Sequence, residues 1–296
     1  MYKIETPAKG LVSHGMNSCA GCAMELALRR ILDELGKDVI LVTPPGCAAL
    51  FNGMDSYTNL LIPGFQCHLE NTATSCEGVR AALDALGNTH TTVLGFAGDG
   101  GTVDIGLQAL SGMIERNARI LYICYDNEAY MNTGTQGSGA TPRGASSTTS
   151  PLGKLTPKKD LLKIAIAHGI HYAASASVAY IRDLSKKVKK AQNTQGASLI
   201  HLHTPCPTGW AYDPAKTIEL AKKAVDSGMW MLYEYENEEI TITHKPSKLI
   251  PVENYLCMQG RFSKLDKNAV YDIQKEVDKR YNALIASAKN LQGVHT

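Results

Sequence analysis

The apolar and polar residues at positions 91–134 follow one another in blocks that predict a strand, a glycine-rich turn, a helix, a second strand and a polar loop. Residues 91–96 are mostly apolar, as expected of a strand that is buried on both faces, and the sequence GDGG interrupts them at 98–101. Apolar residues then recur at helical spacing, and a second apolar run covers 120–125. The predicted apolar face of the helix consists of Val103, Leu107, Leu110 and Ile114.

The two strands of this βαβ unit are followed by Asp99 and Asn127. Because parallel strands joined by a helix end at the same edge of a sheet, where α/β proteins bind ligands, we expect these side chains to be neighbours. A carboxylate, an amide oxygen and a nearby backbone carbonyl are oxygen ligands that suit Mg²⁺ when it holds a diphosphate. Gly100 and Gly101 would let the backbone approach the anion. An ordinary glycine-rich turn is the alternative, whereas a dinucleotide fingerprint is disfavoured because Val103 replaces its third glycine.

The remaining pattern predicts an α/β protein with a mostly parallel sheet and helices on both faces. Residues 134–153 contain almost no large apolar side chain, and we interpret them as a functional loop because long loops inside compact domains are uncommon. We assign residues 1–209 to the α/β domain and 210–296 to a C-terminal extension that packs on it or on a partner subunit. Helices are predicted at 24–35, 71–86, 160–168, 178–192, 214–227 and from 267, and further strands at 39–42, 64–69, 171–177, 198–203 and 239–244.

Composition narrows the class of protein. The chain has 296 residues, of which 44% are apolar, and this is enough for one large α/β domain or two small ones. A formal net charge of +2 gives no electrostatic case for binding nucleic acid or an anionic membrane. No apolar run approaches the roughly 18–20 residues needed to span a bilayer, and residues 1–5 do not begin a signal peptide. We therefore expect a cytoplasmic protein.

Eight cysteines in a reducing compartment favour metal ligation over disulfides for at least some of them. Cys19 and Cys22 form a Cys-x-x-Cys pair at a helix start, whereas Cys47 and Cys206 follow strands and should share the sheet edge of Asp99. Four thiolates suit either a structural Zn²⁺ or a 4Fe-4S cluster, and the wide scatter of the ligands slightly favours the cluster. The cysteines interpreted as small core residues are Cys67, Cys76 and Cys124.

Two histidines, His201 and His203, share one face of a predicted strand. They could form a metal pair, but buried imidazoles with hydrogen-bond partners are at least as well supported by the pattern. His68 is the histidine that we place near the ligand-binding edge.

Several stretches resemble the thiamine-diphosphate (TPP)-binding beta subunit of pyruvate (2-oxoacid):ferredoxin oxidoreductase, including its oxalate oxidoreductase relatives. The likeness covers nearly the whole chain. It departs from the commonest family pattern at Ala23, where many relatives have glycine, and at Pro44-Pro45 and the region 48–68, which could reshape the substrate pocket. The stretches are CAGC at 19–22, PPGC at 44–47, GDGGTVDIGLQALSGMIER at 98–116, YDNEAYMNTGTQ at 125–136, TPCPTGW at 204–210 and LCMQGRF at 256–262.

The resemblance implies a TPP-binding α/β fold and assigns residues to three groups. Mg²⁺ would be bound by Asp99, Asn127 and the carbonyl of Ala129. The resemblance identifies no certain catalytic residue on this chain, although Asn132 would lie close to the cofactor. The implied cofactor-binding residues are Gly46, Cys47, Gly98, Asp99, Gly100, Gly101, Asn127, Asn132 and Thr133. The implied ligands of a 4Fe-4S cluster are Cys19, Cys22, Cys47 and Cys206.

The function implied by the resemblance is TPP-dependent oxidative decarboxylation of pyruvate with coenzyme A to acetyl-CoA and CO₂. Electrons would pass through the 4Fe-4S cluster to ferredoxin. An alpha subunit would complete the TPP site, gamma- and delta-type subunits would carry further clusters, and the assembly would be a dimer of hetero-oligomers. The alternatives are an oxalate oxidoreductase subunit that needs no coenzyme A, a non-redox TPP decarboxylase with a structural zinc site, and an electron-transfer module that has lost TPP. The residues do not distinguish one 2-oxoacid from another.

Overall fold

Within residues 10–53 and 57–292, which the computed structural model describes, eight strands form a single sheet. The predicted absence of a signal peptide concerns residues that lie outside these ranges. The strands are β1 (Val39–Thr43), β2 (Gly64–Gln66), β3 (Thr92–Gly98), β4 (Leu121–Asp126), β5 (Tyr172–Ser177), β6 (Ser198–His203), β7 (Leu232–Glu236) and β8 (Glu239–His244).

The helices connect these strands and continue beyond the last of them. They are α1 (Ala23–Leu35), α2 (Ala49–Asn52), α3 (Thr72–Ala85), α4 (Leu107–Glu115), α5 (Leu161–Ala167), α6 (Ile181–Asn193), α7 (Pro207–Trp210), α8 (Thr217–Asp226), α9 (Glu253–Leu256) and α10 (Lys267–Gln292). In the part of the chain that is described, none of them combines the length and the apolar character needed to cross a bilayer.

The strand order is β2-β1-β3-β4-β6-β5-β7-β8. The first six strands in this order run parallel, β7 is antiparallel to its neighbour β5, and β8 is antiparallel to β7. Helices α1 and α6 cover one face of the sheet, and α3, α4 and α5 cover the other. The mostly parallel α/β fold predicted from the sequence is therefore confirmed.

Four neighbouring parallel strands, β1, β3, β4 and β6, end at one edge of the sheet. The chain leaves these strands toward Cys47, Asp99, Asn127 and Cys206, respectively. The expectation that these four residues share a sheet edge is confirmed. Strand order decides the result, because it places the two cysteine-bearing strands on either side of the βαβ unit.

The helix predicted from Val103 begins differently in the structure. Residues Gly100–Asp104 form a π-helical turn, and α4 starts only at Leu107. A Cβ atom at position 106 would collide with the carbonyl oxygen of Gly101, so the wide turn requires glycine there. Short π-helical segments are frequently found at functional sites.

The C-terminal residues contribute to the same sheet as the rest of the chain. Strand β7, which the sequence did not predict, pairs with β5, and β8 pairs with β7 as the outer strand. A third apolar cluster joins this part of the chain to Trp210 and Ala145. The boundary at residue 209 remains a prediction, but the residues beyond it pack against the sheet and against the segment that follows β6.

Candidate functional site

Three oxygen-bearing groups meet where β3 and β4 end. The side-chain amide of Asn127 approaches Asp99 Oδ1 to 3.0 Å and the carbonyl oxygen of Ala129 to 2.9 Å. If the amide nitrogen faces them, it donates two hydrogen bonds; if the amide oxygen faces them, only a cation can hold the three oxygens together. Neighbouring ligands of an octahedral Mg²⁺ are about 2.9 Å apart, since each lies about 2.0–2.1 Å from the ion. The spacing therefore fits that ion.

Asp99 is a buried carboxylate whose charge is not matched by a neighbouring cation. It is fully buried, and it forms no ion pair within the described part of the chain. Its Oδ2 accepts a hydrogen bond from the Ser138 hydroxyl, and burial together with the charge of Asp126 raises its pKa well above the usual range. Because an ionised carboxylate is costly to bury alone, this oxygen is suited to a metal.

The neighbouring acids are neutralised by the protein itself. Lys158 Nζ lies 2.6 Å from Asp126 and 2.8 Å from Glu128, and Arg261 lies 2.6 Å from Glu128. Burial alone would raise the pKa of Asp126, but Lys158 and His201 more than offset it and lower that pKa below its usual range. Three carboxylates therefore lie at this edge, and two of them, Asp126 and Glu128, form ion pairs.

The loop that carries Asn127 is held from both sides. Trp210 Nε1 donates to the backbone carbonyl of Asn127 at 2.7 Å, and Thr141 Oγ1 donates to the carbonyl of Glu128 at 2.6 Å. Glu128 adopts a left-handed conformation with φ of +66°, in which its backbone N–H donates to Asp126 Oδ1 at 2.9 Å. These contacts fix the direction of the Asn127 side chain.

The polar loop predicted at 134–153 forms part of this site. It belongs to a segment, residues 127–160, that contains no helix or paired strand. Ser138 reaches Asp99, and the Lys154 ammonium donates to the carbonyls of Ser138, Gly139 and Thr141 at 2.8–3.2 Å. One lysine thus organises the part of the loop that contacts the buried carboxylate.

A cavity of about 200 Å³ opens beside these oxygens. Asp99 is fully buried and is not among the residues that line the cavity, whereas Ala129 lines it. His68 is exposed and does not line the cavity, whereas the next residue, Leu69, does. Of the residues proposed to bind cofactor, those in the wall are Gly46, Cys47, Gly98, Gly100, Gly101, Asn127, Asn132 and Thr133. Leu69, which lies outside every stretch of family resemblance, carries no sequence signal for this wall. The other lining residues, Pro44, Pro45, Tyr125, Tyr130 and Met131, lie within the stretches 44–47 and 125–136, but the resemblance assigned none of them to the cofactor.

Gly100 provides a direct test of the cavity shape. A Cβ atom at this position would overlap the ring of Tyr130, whose hydroxyl donates to Asp104 Oδ2 at 3.1 Å. We expect Gly100→Ala to displace the Tyr130 ring and to weaken cofactor binding by about 10- to 100-fold, as for other groups that support a binding site. Titration calorimetry measures this affinity. Gly78→Ala is the control, since a Cβ atom there meets nothing within 4 Å; equal binding by both variants would contradict the expected role.

The four predicted cluster ligands lie close enough to influence one another. Burial raises the pKa of Cys22 to about 11 and that of Cys47 to about 12, with smaller contributions from the other thiols of the group. The pKa of Cys206 is raised by burial and by Cys19. Within the described residues, however, no three His, Cys, Asp or Glu side chains are within reach of one metal ion. Cys47 also lines the cavity, so the set of four cysteines adjoins the cavity through this residue.

The other cysteines and the histidine pair have different surroundings. Cys76 and Cys124 are buried in the core, as predicted, and Cys67 is half-buried. His201 Nε2 lies 2.7 Å from Asp126 Oδ2. The interpretation of both imidazoles as hydrogen-bonded is wrong for His203, because neither of its ring nitrogens has a partner among the described residues, and the ring stacks on Trp230 instead.

Comparison with known proteins identifies the family. The family described as thiamine pyrophosphate enzyme, C-terminal TPP binding domain, matches residues 45–202. The chain is 46% identical to pyruvate synthase subunit PorB of Methanothermobacter thermautotrophicus, covering 93% of this chain and 97% of that protein. It is 44% identical to ketoisovalerate oxidoreductase subunit VorB of Pyrococcus abyssi, covering 91% of each.

A solved structure shares the fold. It is the 2-oxoglutarate:ferredoxin oxidoreductase from Magnetococcus marinus with 2-oxoglutarate, coenzyme A and succinyl-CoA bound. The TM-score is 0.60 at 18% identity, and the match covers 89% of this chain and 94% of the other. Motifs, strand ends and relatives agree, and the chain belongs to the family of TPP-binding beta subunits of 2-oxoacid:ferredoxin oxidoreductases.

Proposed function

We propose that this chain is the catalytic beta subunit of a pyruvate:ferredoxin oxidoreductase that binds Mg²⁺-TPP and one 4Fe-4S cluster. The observation that carries the proposal is the position of Cys47. It lines the cofactor cavity, and burial raises the pKa of its thiol, with smaller contributions from its neighbours Cys206, Cys22, Cys19 and Asp99. A cluster held by these cysteines would lie directly beside the cofactor.

In the metal site, Asp99, Asn127 and the Ala129 carbonyl would bind Mg²⁺, and the cofactor's diphosphate would complete its coordination. Asp99 would offset one of the ion's two positive charges, while the amide and the carbonyl would orient it. Gly100 and Gly101 leave room for the diphosphate because neither presents a side chain to the cavity. These groups position the cofactor and balance charge; they transfer no proton.

For the four cysteines, a cluster fits better than one zinc ion. Thiolates around a single Zn²⁺ each lie about 2.3 Å from the metal, which requires their sulfur atoms to converge tightly. No such convergence occurs in the described residues, although neighbouring thiols of the group contribute to the raised pKa of Cys22, Cys47 and Cys206. A four-iron cluster is larger than a single ion and suits a wider arrangement.

When bound, TPP supplies an electron sink for decarboxylation of a 2-oxoacid, and a 4Fe-4S cluster supplies a route for the released electrons. The chain contributes the apolar wall that excludes water, formed by Pro44, Pro45, Leu69 and Met131. No carboxylate lines this cavity in the described part of the chain. The resemblance implies that an alpha subunit completes the TPP site, and we infer that this subunit supplies the carboxylate needed at the aminopyrimidine ring of TPP. The relatives are themselves named as single subunits, PorB and VorB.

Pyruvate is the proposed substrate because relatives at 46%, 45% and 42% identity are named pyruvate synthase subunits. A branched 2-oxoacid is the second candidate, since ketoisovalerate oxidoreductase subunits are 43–44% identical to the chain. Oxalate, a cytoplasmic location, ferredoxin as the direct partner, the gamma- and delta-type subunits and a dimer of hetero-oligomers remain predictions from the sequence.

The test is a turnover screen of the anaerobically purified complex. Ferredoxin reduction and CO₂ release are measured with pyruvate, 3-methyl-2-oxobutanoate, 2-oxoglutarate and oxalate, each with and without coenzyme A. We expect the highest kcat/KM with pyruvate and a requirement for coenzyme A. Oxalate turnover without coenzyme A would replace the proposal with the oxalate alternative. Release of CO₂ without ferredoxin reduction, in a complex whose beta subunit contains stoichiometric zinc, would favour a non-redox decarboxylase.

A further inference from the structure

Trp210 lies between the Cys206 segment and the Asn127 loop. It is fully buried at the end of α7, the four-residue helix that follows Cys206, and its backbone N–H donates to the Cys206 carbonyl at 2.9 Å. Its indole N–H donates to the backbone carbonyl of Asn127 at 2.7 Å. One residue therefore contacts both segments, the Cys206 segment through its backbone N–H and the Asn127 loop through its indole.

Arg261 holds Trp210 and the same loop from the C-terminal part of the chain. Its guanidinium carbon lies 3.6 Å from the centre of a Trp210 ring, and its nitrogen lies 2.6 Å from Glu128, the residue after Asn127. Arg261 is 5% exposed, so this stack is shielded from solvent. A displacement of Trp210 would therefore disturb two adjacent loop residues. Asn127 would lose the hydrogen bond to its carbonyl, and Glu128 would be affected through Arg261.

We propose that Trp210 is a positioning residue that couples occupancy of the cluster site to the affinity of the Mg²⁺-TPP site. The inference rests on the proposed function, which places a cluster on Cys206 and Mg²⁺ on Asn127. When the cluster holds Cys206, α7 is fixed and the Trp210 indole holds the Asn127 carbonyl, so that the Asn127 side chain faces the metal. Without the cluster, the segment relaxes and the loop loses this support.

The coupling is reciprocal because both ligands stabilise the same arrangement of Trp210. Mg²⁺-TPP should therefore slow loss of the cluster, just as the cluster should tighten binding of Mg²⁺-TPP. A direct electrostatic interaction between cluster and diphosphate would also link the two sites, but that interaction does not depend on the indole N–H.

A double-mutant cycle separates the two routes. The dissociation constant of TPP at saturating Mg²⁺ is measured by calorimetry for the complete anaerobic complex carrying wild type, Cys206→Ser, Trp210→Phe or both changes. We expect Trp210→Phe alone to weaken binding by about 5- to 100-fold, because a buried carbonyl loses its partner. Cys206→Ser should weaken binding several-fold in the wild-type background and hardly at all in the Trp210→Phe background.

The second tryptophan provides a matched control. Trp230 is also buried, but its Nε1 has no hydrogen-bond partner among the described residues. Trp230→Phe should bind TPP as the wild type does. The reciprocal measurement is the rate at which a chelator removes iron: Mg²⁺-TPP should slow it in the wild type and in Trp230→Phe, but not in Trp210→Phe.

Equal effects of Cys206→Ser in both backgrounds would overturn the coupling through Trp210. If Trp210→Phe does not assemble, Arg261→Lys serves as the second variant; it retains the charge but loses the planar stack, and it should reduce the same coupling. If the wild-type complex binds neither TPP nor iron on this chain, the proposed function is wrong and this inference falls with it. If the complex binds both TPP and iron, and the effects of Cys206→Ser and Trp210→Phe on TPP binding are fully additive, only the inference is rejected.

Discussion

Asp99→Asn should lower the affinity of the assembled enzyme for TPP at saturating Mg²⁺ by more than about 100-fold and abolish turnover. Loss of a group that merely supports a metal ligand already costs about 10- to 100-fold. Asp99 is the proposed ligand that carries the negative charge, and asparagine keeps its shape and its ability to accept from the Ser138 hydroxyl. Calorimetry on the anaerobic complex measures the affinity.

The same substitution should not harm the fold. Asp99 is a buried carboxylate without an ion-pair partner in the described chain, so a neutral amide should leave the free energy of unfolding of the metal-free protein unchanged or raise it. Asp38→Asn is the matched control, because Asp38 lies near the opposite end of β3 and accepts from Thr91 Oγ1 at 2.7 Å. TPP binding by Asp99→Asn as tight as that of the control would show that Asp99 is not a metal ligand.

Cys19→Ser should remove the cluster from this subunit and abolish ferredoxin reduction, while weakening TPP binding only by the several-fold that loss of the cluster is expected to cost. Cys19 is the exposed member of the four proposed ligands, and it does not line the cofactor cavity. Iron analysis of the complex should therefore show four fewer iron atoms per copy of this chain, with a matching loss of visible absorption. The measurement separates loss of the electron route from loss of the cofactor.

Cys257→Ser is the control for this change. Cys257 is also exposed, but it follows α9 and lies outside the proposed ligand set. The complex that carries Cys257→Ser should retain the iron content and the turnover of the wild type. If Cys19→Ser releases zinc while iron content stays constant, the four cysteines hold a structural zinc. If neither metal changes, Cys19 is not a ligand.

Much of the fold could be predicted because the βαβ pattern is local. A buried apolar run, a glycine turn and helical spacing within residues 91–126 suffice to place Asp99 and Asn127 at one sheet edge. Strand β7 was missed because it is short and only two of residues 232–236 are buried, so that no continuous apolar run marks it. The π-helical turn was missed because it results from close contact between Gly101 and Gly106, which periodicity does not reveal.

The supports of the site were beyond sequence reasoning because they are non-local. Trp210 contacts Asn127 across 83 positions of the chain, and Arg261 contacts Glu128 across 133. A motif can mark Trp210 and Arg261 as family residues, but hydrogen bonds and ring contacts between distant segments depend on how the C-terminal residues pack. His203 illustrates the same limit: its strand and burial were predictable, whereas the lack of a partner for its ring nitrogens within the described part of the chain was not.

The sequence by itself determined which residue types stand at the ends of the parallel strands, and thereby the family and the proposed ligands. Only the tertiary structure decided which acid remains without a cation. Asp99 follows β3 and Asp126 ends β4 in the same unit, yet Lys158 Nζ lies 2.6 Å from Asp126, whereas Asp99 has no ion-pair partner among the described residues. The physical reason is that the cost of burying a charge depends on its neighbours in space, and those neighbours are brought by loops from distant parts of the chain.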